Sequence, residues 1–106
     1  MPELKAIADY NRRAMRAAHE GRLEQALLNL SMALRLAREI HRSQLESYSK
    51  GNMGLVYLMA GKRREAAVCF RLALQRARSE YGSDHPLCYA LKNNIRKMSM
   101  RQRKAA

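Results

Sequence analysis

At 106 residues, with 47% apolar content and only five glycines and two prolines, the chain is long enough for one domain and too apolar for a disordered segment. Twenty-one Lys and Arg against nine Asp and Glu leave a net charge of +12, so an anionic partner has to be weighed against charge that serves only solvation. Two cysteines exclude a disulfide framework and fit a reducing cytoplasm, residues 1–5 lack the apolar core of a signal peptide, and the longest apolar run, 55–60, falls far short of the roughly 20 residues a spanning helix needs.

Period and punctuation predict five helices and no strand. The first, about 3–19, carries Ile7, Tyr10, Ala14 and Ala17 at helical spacing and stops at Gly21. The second, about 23–41, lines Ala26, Leu27, Leu30, Ala33, Leu34 and Ala37 along one stripe. The third, about 43–60, opens on Ser43 with Glu46 three residues on, the spacing of a capping box, and ends at Gly61. The fourth, about 63–80, repeats the second with Ala66, Ala67, Phe70, Ala73, Leu74 and Ala77. Tyr81, Gly82, Ser83 and Asp84 then break the pattern, with Asp84 or Ser83 as candidate cap and Pro86 in the first turn of a fifth helix reaching about 103. Leu87, Leu91, Ile95 and Met98 form its narrow apolar stripe, and the short connections require successive helices to pack antiparallel.

Two stretches forty residues apart are copies. Gly21, Ala26, Ala33, Leu34, Ala37 and Arg38 recur as Gly61, Ala66, Ala73, Leu74, Ala77 and Arg78, with Leu30 and Phe70 in the equivalent large apolar place. A small-residue pattern at this period marks a helical hairpin stacked on its own copy. Gly54, Ala66 and Ala73 permit close approach of the backbones, while Tyr57 and Phe70 fill the gaps between hairpins.

Asn52, Met53 and Gly54, followed by Tyr57, Gly61, Ala66, Phe70 and Ala73, closely resemble the tetratricopeptide repeat, with Lys50 in place of its early Trp and Arg78 in place of its closing Pro. The first copy keeps Gly21, Ala26, Leu30 and Ala33 but has Ala14 for the Gly and Ala17 for the Tyr. The run from Tyr81 to Pro86, with Leu91, Asn94 and Ile95, is similar to the junction of the longer-period variety found in kinesin light chains. The resemblance implies one all-α domain over 1–106, an α-α superhelix of two hairpins, about 3–41 and 43–80, with a solubilising cap at about 84–103.

It also implies a concave groove lined by the first helix of each hairpin and by the cap, in which a peptide or helix of a protein partner binds. The groove positions are Ala8, Asn11, Arg12, Met15 and His19; then Tyr48, Asn52, Leu55 and Met59; then Ala90, Asn93, Asn94, Lys97 and Arg101. One subgroup of the family clamps a C-terminal carboxylate with Lys, Asn and Arg at such positions, and here only Asn52 fits. Arg12, Lys97 and Arg101 favour an acidic partner, and Met15 and Met59 suit an adaptable apolar surface. With only two hairpins, uncovered terminal flanks bearing Leu4, Ala8, Tyr89 and Met100 raise the expectation of a homodimer, opposed by the charge.

Catalytic readings find little support. His19, His41 and His85 stand apart without metal-ligand spacing, the Gly61–Lys62 pair lacks the rest of a phosphate loop, and Cys69 lies in a core stripe without a general base. The expectation is a non-enzyme with no metal and no cofactor. Basic clusters at Arg12, Arg13 and Arg16, at Lys62, Arg63 and Arg64, and from Arg96 to Lys104 sustain a second reading, nucleic-acid or anionic-surface binding, although interleaved aromatics are nearly absent.

Overall fold

The computed structural model describes residues 1–105, with side chains described through residue 100. It consists of α1 (Pro2–His19), α2 (Leu23–Glu39), α3 (Ser43–Met59), α4 (Arg63–Tyr81) and α5 (Pro86–Ala105), with no strand among the described residues. Helix type and order follow the sequence pattern throughout, and the ends differ from it by at most two residues.

Three of the four connections are the same turn. After α1, the Gly21 amide donates to the Ala18 carbonyl at 3.0 Å and the Arg22 amide to Ala17 at 2.8 Å. His41 and Arg42 do the same to Arg38 and Ala37, and Gly61 and Lys62 to Leu58 and Tyr57. This double closure satisfies the last carbonyls of the helix and needs a left-handed residue at its centre. Gly21 (φ 82°) and Gly61 (φ 76°) supply it without strain, whereas His41 adopts φ 56° with a side chain attached. The second helix therefore ends before His41 rather than running through it.

That turn also overturns the capping box. Arg42 occupies the boundary and its carbonyl already accepts the Glu46 amide, so Ser43 is inside the helix and makes no cap bond. Its hydroxyl accepts from Arg76 instead, at 3.2 Å. At α5 the cap is neither Ser83 nor Asp84. His85 accepts the Leu87 amide on Nδ1 at 3.1 Å while its ring lies 4.8 Å from that of Tyr81, and Asp84 accepts from the Tyr89 hydroxyl.

The core is built from alanines at the helix crossings with a few large side chains between them. Ile7 packs with Ala33 and Ala37; Ala14, Ala17 and Ala18 pack with Ala26, Leu30 and Val56; Phe70 packs with Ala66, Ala73, Cys88, Leu91 and Met98. Small residues let the axes approach. A Cβ on Gly54 would lie 2.6 Å from Cε1 of the fully buried Phe70, so this crossing admits hydrogen only. A Cβ on Gly51 would meet only the end of the Leu91 side chain, Cδ2 at 2.9 Å, a looser contact that joins α3 to the terminal helix. Helices α1, α3 and α5 touch in series, whereas α2 and α4 do not touch each other. An inner row in contact and an outer row splayed apart is the geometry of a curved stack.

Candidate partner groove

The inner row presents one stripe on each helix. On α3 the spacing of Tyr48, Asn52, Leu55 and Met59 keeps them on one face. Tyr48 is 50% exposed and Met59 45%, large apolar surfaces that folding leaves in water. Leu55 and Met15 are half-buried beside them, and Arg12, His19, Ala8, Ala90 and Lys97 are exposed. Asn93 and Asn94 are half-buried, with Asn93 accepting from Arg96 at 2.9 Å, and the Arg101 side chain lies outside the described residues.

Asn11 and Asn52 sit differently from a groove expectation. Both are buried, at 5% and 8% exposure. The Asn11 amide donates to the Ile7 carbonyl at 2.9 Å and to Ser49 Oγ at 3.1 Å, and its Oδ1 accepts from Asn52 Nδ2 at 2.9 Å. Helical position put these side chains near the groove, but the closeness of α1 and α3 turns them into each other. They brace the contact between α1 and α3, since buried amides require partners and find them here.

The basic clusters divide in the same way. Arg12 pairs with Asp9, Arg22 with Glu20, and Arg13 lies 6.0 Å over the Tyr10 ring. Arg63, at the tip of the second hairpin, donates to the Met98 carbonyl at 3.3 Å and ties that tip to α5. Tyr89, exposed on the terminal flank, has Lys92 over its ring at 5.6 Å, and Leu4 is half-buried.

On the opposite side of α3, where α2 and α4 diverge, a cleft of ≈ 420 Å³ opens. Leu34 of α2 and Leu72 and Ala73 of α4 form its walls, and Ser47 and Lys50 of α3 its floor. Glu46 spans the rim, accepting from Arg38 at 3.2 Å and Arg76 at 3.4 Å. Ser47 is 2% exposed and its Oγ has no hydrogen-bond partner. On α4 itself, outside the cleft lining, burial pushes the Cys69 thiol above its ordinary range; Lys50 draws it back and Glu65 adds to the rise. Sequence reasoning missed this cleft. Its signal was Lys50, a flexible cation where the repeat pattern has a broad Trp.

Among the described residues no group of His, Cys, Asp and Glu is arranged to hold a metal ion, and no helix is long and apolar enough to cross a membrane. Neither the curated proteins nor the solved structures yield a match to the chain. Residues 48–87 match the tetratricopeptide repeat family model, a span that runs from the groove face of α3 through α4 to the first turn of α5. Residues 48–87 therefore form a tetratricopeptide repeat, and the same turn and the same alanine stripe recur forty residues earlier.

Proposed function

We propose that the chain is a non-catalytic adaptor that holds an extended peptide or a helix of a partner protein along the inner row. The observation that carries this reading is the exposed pair Tyr48 and Met59, with half-buried Met15 and Leu55 between α1 and α3 and the cations Arg12 and Lys97 on either side. Apolar anchors with cations beside them suit an amphipathic segment carrying acidic residues. Thioethers adapt to more than one such segment.

Partner capture from lysate with the wild-type chain, repeated with Tyr48→Ala plus Met59→Ala, tests it. Both side chains are about half exposed, so the double variant retains its helical spectrum and loses the captured protein. Undiminished capture would sink the groove assignment. The charge supports one rival, binding of nucleic acid through exposed Arg13, Arg16 and Arg64. A labelled oligonucleotide titrated at two ionic strengths separates the two, because phosphate contacts release counterions and weaken steeply with salt.

A further inference from the structure

The cleft between α2 and α4 has the size of a small-molecule site and a chemistry that its own side chains do not satisfy. Three cations and one carboxylate line it, Arg38, Lys50 and Arg76 against Glu46, and that carboxylate is held by the two arginines. Lys50, one helical turn beyond Ser47 on the floor, has no carboxylate within ion-pair distance among the described residues. The Ser47 hydroxyl is buried and unpartnered beside it, a state that folded proteins seldom leave unfilled. Beside these polar groups Leu34, Leu72 and Ala73 give the walls apolar surface, with Gln75 and Ser79 also in the lining, and Leu72 stays 48% exposed.

We propose that this cleft binds a small organic anion, a carboxylate or phosphate monoester whose head accepts from Ser47 Oγ and Lys50 Nζ and whose short apolar body lies between Leu34 and Leu72. Head and body answer separate features. A bare inorganic anion leaves the walls uncovered, and an uncharged alcohol leaves Lys50 without a counter-charge. The site is on the opposite side of α3 from the inner row, so it stands whether or not the groove binds a peptide.

Calorimetric titration of the full chain with octanoate and with octyl phosphate, below their micelle concentrations, tests the proposal, with octanol and inorganic phosphate as controls for each half. Saturable one-to-one binding of either amphipathic anion is expected, about tenfold or more tighter than either control, as one charge-assisted hydrogen bond provides. Octanoate alone identifies a carboxylate site, octyl phosphate alone a phosphate site. Lys50→Gln weakens binding about tenfold, and Leu72→Gln, at an exposed position, weakens the anion while leaving the fold intact. Ser47→Ala separates ligand binding from structure: it raises the thermal midpoint of the free chain by deleting an unsatisfied hydroxyl, yet weakens the anion severalfold. Absence of saturation, equal binding of inorganic phosphate, or unchanged affinity in Lys50→Gln and Leu72→Gln would overturn the assignment.

Discussion

Gly54→Ala adds one methyl group at the tightest crossing in the protein, and the structure sets the sign of its effect. The new Cβ would stand 2.6 Å from Cε1, 2.7 Å from Cδ1 and 3.0 Å from Cζ of Phe70, whereas carbon atoms rest at about 3.5 to 4.0 Å. Relief requires a movement of roughly 1 Å. The ring is fully buried among Ala66, Ala73 and Leu91, so it cannot swing out into solvent. Overpacking of this kind costs about 1 to 3 kcal/mol, while alanine in place of a mid-helix glycine returns about 1 kcal/mol of propensity. A rigid buried ring places the cost near its upper bound, for a net loss of about 2 kcal/mol. Gly51→Ala is the control, because it has the same propensity gain but meets only the end of Leu91, at 2.9 Å from Cδ2. A Leu methyl can rotate aside, so this variant stays within about 1 kcal/mol of the parent. Urea denaturation followed by circular dichroism reads both, with a shifted midpoint at constant slope reporting stability. Gly54→Ala as stable as Gly51→Ala would refute the argument. Combining Gly54→Ala with Phe70→Leu should lose at least about 1 kcal/mol less than the two single losses summed.

His41→Gly should stabilise the chain by about 0.5 to 1 kcal/mol, since it replaces a side chain in a left-handed turn with the residue used at Gly21 and Gly61; an unchanged or lower urea midpoint would show that the ring makes a compensating contact. The buried Cys69 thiol is raised above 9.0 in the folded chain, so the folded state holds that proton more tightly than the unfolded state does. Its contribution is fully present below about pH 9 and is lost as pH rises through the folded value, so Cys69→Ala should flatten the alkaline fall in thermal midpoint relative to the parent.

Helices and turns were legible because each rests on one residue type acting locally. Gly21 and Gly61 end helices through backbone freedom, and the alanine stripes at 26, 33 and 37 and at 66, 73 and 77 report a crossing at helical period. His41 was illegible as a turn because nothing in its own chemistry demands the left-handed region; the three-fold recurrence of the turn does. Ser43 misled because its spacing to Glu46 is right while the preceding double closure moves the boundary to Arg42. At the groove, period placed Tyr48, Leu55 and Met59 on the α3 stripe. It could not tell an amide that faces solvent from one that faces a neighbour, and Asn11 and Asn52 differ from Tyr48 only in the distance between two helices far apart in sequence. The cleft beneath α2 and α4 depends on what those helices fail to touch, which no single segment encodes.

The joints along the inner row are unequal in kind. Between α1 and α3, Asn11 bonds Ser49 and Asn52 through directional contacts, and a slide of either helix by a fraction of a turn would break several at once. Between α3 and α5, Leu91 rests on Gly51, a non-directional contact that survives small tilts. Curvature is therefore locked at the amino-terminal joint and elastic at the carboxy-terminal one. Under the proposed groove reading, a segment along this surface would meet a fixed wall at the first two inner helices, and bulk in it would be best accommodated toward α5, where widening breaks no hydrogen bond of the asparagine brace.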